Sequence, residues 1–199
     1  MLDSRVLFRF DFQAGLDDKL KRAQIPIVAI PGRPGMCVPE TYLETCRRML
    51  DGLARYDMQH AAAYEANLTQ LAQRLRRQAA YCREQVALHG LTGTKVLASS
   101  HQEGFAEWLG LTVVATFQSA DRMTPPDINT CLQAGRREHV RLVIANLQEG
   151  TDLPARLAGR LNCRLVVFSN FPDTRKGSNR AFERLLSSNL TNLLCPEEP

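Results

Sequence analysis

The sequence predicts an α/β protein whose carboxyl-terminal half is a parallel sheet with helices packed on it. Three observations carry that expectation. Strand-like apolar runs alternate with helical patterns from Lys95 to Leu194, the order expected of parallel strands joined by crossover helices. Two of those runs, LTVVATF and RLVIANL, are almost wholly apolar, as strands covered on both faces are. Ahead of them, apolar residues recur at helical spacing through one unusually long stretch.

The elements follow in order. Residues 5–12 alternate as a half-buried strand does. A helix is predicted over 16–23 and a second strand over 25–30, ended by the turn-rich loop PGRPG. Pro39 suits the first turn of a helix, where its missing N–H has no partner to lose. From 40 to 88 the pattern is helical. Leu43, Cys46, Leu50 and Leu53 step by three or four, and after a break near 56–59 the stripe resumes at Leu68, Leu71, Leu75, Ala79, Cys82 and Val86. At roughly 1.5 Å per residue the second part spans about 40 Å. Gly90 and the LTGT turn close it. Beyond it, strands are predicted at 95–99, 112–117, 141–147 and 164–169, with helices at 102–109, 126–138, 153–162 and 179–194.

Composition bounds the function classes. With 44% hydrophobic and 23% charged residues, the chain has the balance of a globular protein rather than a disordered one. No apolar run approaches the roughly 20 residues of a membrane span. The opening MLDSRVLFRFDF carries Asp3 and arginines in its apolar run, unlike a secretory signal. Read as a genuine start, it predicts a cytoplasmic protein. The net charge of +4 is mild, and Arg74, Arg76, Arg77 and Arg83 lie on one helix. That pattern is a solvated face, so no nucleic-acid partner is expected. The G-x-S-x-G elbow, P-loop and G-x-G-x-x-G patterns are absent from the sequence, so no enzyme is expected.

None of the six cysteines has C-x-x-C spacing, which removes the zinc-ribbon and thioredoxin readings. Cys46, Cys82 and Cys131 fall on helix faces read as buried, and Cys163 opens a strand, where a thiol acts as a small hydrophobe. Cys37, beside Met36, is either a soft metal ligand or a packing residue.

The stretch KVLASSHQEGFAEWLGL is the most informative. It reads as a strand, a histidine at the strand's carboxyl end, and a short helix closed by Gly110. Ligands of open α/β sheets bind at the carboxyl ends of strands, and histidine is the commonest metal ligand. His101 is therefore a candidate metal or anion ligand, or else a helix-capping or cleft-lining polar residue. Glu103 is a second ligand, or a first-turn carboxylate favoured by the helix dipole. Asn146 and Gln148, with Ser169 and Asn170, end the last two apolar runs. They line a ligand cleft or satisfy backbone groups where strands stop. His60, His89 and His139 read as surface or boundary residues.

Taken together, these segments resemble the zinc- or manganese-binding solute receptors of metal ABC importers, the cluster A-I receptors. ARYDMQHAAAYEANLTQLAQRL is similar to the family's long connecting helix. KVLASSHQEGFAEWLGL resembles its strand-histidine-helix segment, and RLVIANLQEG its next strand, with Gln148 at a recurrent glutamine. RLVVFSNFP followed by AFERLLSSNLTNLL resembles its last strand and terminal helix, including Asn189. The resemblance implies two α/β lobes tied by one rigid helix. Here these are an incomplete amino-terminal lobe over 1–38, a connecting helical segment over 39–90 and a carboxyl-terminal α/β lobe over 91–199. It implies zinc or manganese as cargo, a membrane ABC permease as partner and a periplasmic location.

The chain departs from the family at the metal ligands. The family brings three histidines and one carboxylate to the ion. Its first histidine lies in an amino-terminal region this chain lacks. The place of its Asp-Pro-His-x-Trp motif reads PGRPGMCVPE, which keeps Pro39. His101 stands at the third histidine, and Ser169 with Asn170 stand where the carboxylate would be. Two functions follow. One is the binding component of a transition-metal transporter, with zinc the first choice. The other is a receptor-like interaction module, or a binder of a small polar ligand, that no longer holds metal. A two-stranded first lobe with an open edge also predicts a homo-oligomer.

Overall fold

The computed structural model describes residues 7–10, 27–30, 35–173 and 180–195. The chain divides into two compact units, Met1–Arg76 and Arg77–Pro199. The helix predicted over 16–23 and most of the PGRPG loop lie outside the described residues.

In the first unit, β1 (Leu7–Phe10) and β2 (Ile27–Ile30) pair in parallel, Leu7 opposite Ile27 and Phe10 opposite Ile30. Helix α1 (Pro39–Tyr56) starts on its proline and carries Glu40 in its first turn and Arg55 in its last, charges that suit the helix dipole. It buries Thr45, Leu50 and Gly52, while Leu43, Cys46 and Leu53 of the predicted stripe are half-buried. At Gly52 the helix meets β2 so closely that a Cβ would lie 2.7 Å from a methyl of Val28.

The predicted break has a specific cause. The Asp57 N–H caps α1 on Leu53 O at 2.8 Å, and one 3-10 turn follows at Met58–His60. The buried Asp57 carboxylate accepts the Tyr64 hydroxyl at 2.5 Å and lies 2.8 Å from His60 Nδ1. Helix α2 (Ala61–Leu88) then runs unbroken for 28 residues, starting in the first unit and ending in the second. Leu75, Ala79, Cys82 and Val86 are buried along it, and Leu68 and Leu71 are half-buried.

The second unit is the predicted parallel α/β layer. Its strands are β3 (Lys95–Ser99), β4 (Thr112–Phe117), β5 (Leu142–Asn146) and β6 (Arg164–Phe168). All neighbours pair in parallel, in the order β4-β3-β5-β6. The helices are α3 (Glu103–Trp108), α4 (Pro125–Arg137), α5 (Asp152–Leu161) and α6 (Ala181–Leu194). Residues of both parities are buried in β3 and β5, so both faces of these central strands are covered. LTVVATF departs from the expectation of full cover: β4 is an edge strand and most of it is half-buried.

Leu97, Phe117, Leu132, Val143 and Leu157 form one apolar cluster between strands and the helices α4 and α5. Phe105 meets Phe168 edge-on at 5.3 Å and stacks on Trp108 at 5.6 Å. The guanidinium of Arg83 lies 4.8 Å over the Trp108 ring, fixing the end of α2 to α3. Thr124 and Asp127 form a reciprocal capping box that starts α4.

No disulfide forms among the described residues. Burial pushes the Cys37 thiol up to about 12 and that of Cys82 to about 11. Both side chains are buried, Cys37 at 2% and Cys82 at 0% exposure, where a thiol acts as a small hydrophobe. Among the described residues, no helix is long and apolar enough to cross a membrane.

Candidate functional site

The strand order locates the site. From β3 the chain adds β4 on one side, then returns to place β5 and β6 on the other. The loops leaving β3 and β5 therefore diverge, and this switch point is where open α/β sheets open a crevice at their carboxyl edge. Residues 100–102 leave β3 there, and the 3-10 turn Leu147–Glu149 leaves β5. The strand ends bring polar groups to one place because each apolar run stops at a residue that can hydrogen-bond sideways.

The centre of the edge is a carboxylate. Glu149 accepts hydrogen bonds from the Ser99 hydroxyl and, at 3.1 Å, from Asn146 Nδ2. Its other oxygen lies 2.8 Å from His101 Nδ1. Burial would raise its pKa, but the donors from Ser99, Asn146 and His101 outweigh burial and hold it below the usual carboxylate range. Glu149 is thus ionised at neutral pH and can only accept, so Nδ1 of His101 carries the proton. The lone pair of the neutral ring is then on Nε2. No described residue bonds that atom, and the side chain is 61% exposed against 16% for Glu149. A histidine whose second nitrogen donates to a carboxylate is the arrangement that metal-ligating imidazoles adopt.

Amides extend the edge toward β6. The Gln102 side chain is fully buried, and its Nε2 donates to Asn146 Oδ1 at 3.3 Å and to Asn170 Oδ1 at 2.9 Å. Its Oε1 has no hydrogen-bond partner among the described residues, a state that costs about 1–3 kcal/mol. Gln148 donates to the Ser169 hydroxyl at 3.0 Å and accepts the Asn170 N–H at 2.9 Å. Asn189, buried on α6, clamps Ser169 from behind, accepting its N–H at 2.9 Å and donating to its carbonyl at 3.0 Å. Beside Glu149 opens a cavity of about 340 Å³ reached by Ser99, Asn146, Thr151 and Asp152.

His101, Asn146, Gln148, Ser169 and Asn170 therefore all lie on one carboxyl edge, linked through Gln102 and Glu149. Glu103 is exposed in the first turn of α3, and the carboxylate that meets His101 is Glu149. Sequence reasoning passed over Glu149, Gln102 and Ser99. The signal for Glu149 was a carboxylate just past a buried strand end, before Gly150, whose φ of 84° lets the turn form. Among the described residues, no group of three or more His, Cys, Asp or Glu side chains is assembled that could hold a metal ion.

The long helix and the four-stranded parallel sheet with its polar carboxyl edge have the build of a metal-receptor α/β protein. The family model for the zinc-uptake complex component A periplasmic, ZnuA, matches residues 38–194, and the chain belongs to that family of metal-binding solute receptors of ABC importers. No curated protein matches the chain in sequence. Solved structures are similar in fold. The SBP FpvC of Pseudomonas aeruginosa in complex with Ni2+ has a TM-score of 0.71 at 16% identity, over 94% of this chain and 76% of its own. The laminin-binding adhesin Lmb of Streptococcus agalactiae, as a mutant, has 0.74 at 12%, over 97% and 81%. A ZnuA crystal structure has 0.67 at 14%, over 94% and 77%.

Proposed function

We propose that the protein is the cargo-binding component of an ABC importer for a transition-metal ion, zinc first, with Nε2 of His101 as the nitrogen ligand. The observation that carries this reading is the 2.8 Å contact of His101 Nδ1 with Glu149, which turns Nε2 outward as a lone-pair donor. Similar structures hold Ni2+, Mn2+, cadmium and zinc, and an imidazole ligand suits zinc better than manganese. Glu103, exposed two residues on, is the second donor in this reading, with water filling other positions. The edge residues Asn146, Gln148, Ser169 and Asn170 frame the ion. A site with so few protein ligands binds more weakly than one with the usual three or four. Family membership supports a membrane permease as partner and a periplasmic location.

Calorimetric titration of the metal-free protein with zinc at neutral pH tests the reading. Weak saturable binding that His101→Ala abolishes is the expected result. Equal binding by the variant would end the proposal.

A second reading has its own support. Five amides, Gln102, Asn146, Gln148, Asn170 and Asn189, meet at this edge, and no described group of three or more metal-ligating side chains does. Such an edge suits a small polar organic ligand that leaves metal unbound. No zinc heat from the wild type, together with protection of the edge amides by such a ligand, would favour it.

A further inference from the structure

Gln102 sits next to the exposed His101 in the chain, yet its own side chain is fully buried. Its Nε2 donates to Asn146 Oδ1, Asn146 Nδ2 donates to Glu149, and Glu149 accepts from His101 Nδ1. Since His101 and Gln102 are covalent neighbours, these bonds close a ring. The ring holds the imidazole from the backbone side and from the Nδ1 side at once. The same Nε2 reaches Asn170 at 2.9 Å, so the exit of β6 is tied into it.

The unpartnered Oε1 is the second observation. A methionine of similar shape would fill the space without burying a lone acceptor. Packing alone therefore does not account for glutamine at this position, whereas its donor group does.

We infer that Gln102 is a positioning residue. Acting through Asn146 and Glu149, it fixes the Nδ1–H tautomer and the orientation of His101, and so presents Nε2 to a divalent transition metal. The inference rests on the reading of His101 as the ligand, but its first readout needs no metal. Without the Gln102 donor, Asn146 Oδ1 loses a partner and is free to turn, Glu149 loses a fixed donor, and the imidazole samples both tautomers.

The test uses the full chain with Gln102→Met and Gln102→Glu. Three quantities are read: the tautomer of His101 from its imidazole nitrogen shifts in metal-free protein, the zinc affinity, and the melting temperature. Gln102→Met removes one unpartnered acceptor but takes the donor from Asn146 Oδ1 and Asn170 Oδ1, so it is expected to melt at or below wild type and to shift His101 from one tautomer to a mixture. It is also expected to weaken zinc binding about tenfold, the lower end of the range by which outer-shell partners act. Gln102→Glu, which brings an acceptor toward two carbonyl oxygens, is expected to lose the single tautomer as well.

A Gln102→Met protein that melts lower but keeps one tautomer and full zinc affinity would overturn the inference and leave Gln102 a structural residue. A folded Gln102→Glu that keeps one tautomer would also overturn it. Should His101→Ala leave zinc binding unchanged while Gln102→Met still mixes the tautomers, positioning would stand and only the metal reading would fall.

Discussion

Asn189 shows how one side chain sets a strand exit. Its amide meets both the N–H and the carbonyl of Ser169 from a buried place on α6. Asn189→Leu keeps the branched shape but leaves two backbone groups without partners. It should lower stability by about 1–3 kcal/mol in urea denaturation, and an unchanged midpoint would contradict the clamp. Asp57 makes a different kind of contribution. The Tyr64 hydroxyl first, then His60, hold its carboxyl below the usual range. A carboxyl depressed in the folded state adds stability that is complete above its unfolded pKa of about 3.9 and disappears as pH falls through the folded value. Tyr64→Phe should therefore be less stable than wild type at neutral pH, and the two stability curves should converge as pH drops below about 4. Parallel curves across that range would contradict the role of the Tyr64 bond. Residue types at strand ends were legible in the sequence, since His101, Asn146, Gln148, Ser169 and Asn170 stand directly after apolar runs. Their partners were not. Glu149 reaches His101 across 48 positions, and nothing local announces such a pairing.

At the level of elements, α1 and β2 approach each other through Gly52. A Cβ there would meet three atoms of Val28 at 2.7, 2.8 and 3.2 Å. Val28 is β-branched and has few rotamers to retreat into. Helix propensity alone favours Gly52→Ala by up to about 1 kcal/mol, while overpacking opposes it by about 1–3 kcal/mol. The second effect is the larger, so the variant should melt lower than wild type. A higher melting temperature would mean that α1 and β2 are not so close. Helices and strands of the second unit were readable because their periods are local properties of the chain. Each of its eight predicted elements is observed, with ends moved by no more than two residues. Strand order was not readable in this way. It depends on which loops cross to which side, and it decides that β4 is a half-covered edge. The apolar content of LTVVATF overstated its burial for that reason.

For the whole molecule, the sequence order of a long helix, a strand-histidine-helix segment and two further strand-helix units was enough to point to the metal-receptor family, and the match over 38–194 places the chain there. The fold follows from apolar patterning, which tolerates wide sequence change, as the 11–16% identity of the similar structures illustrates. Ligand chemistry depends on single residues and varies independently of the fold. The central claim is that His101 offers Nε2 to a metal while Glu149 holds Nδ1. Nitrogen NMR of the imidazole side chains during zinc titration tests it most directly. The account predicts that His101 Nε2 shifts as zinc is added, that its Nδ1 keeps its proton, and that His60, His89 and His139 do not move. A His101 resonance that stays fixed while zinc binds, or shifts confined to the other three histidines, would contradict it.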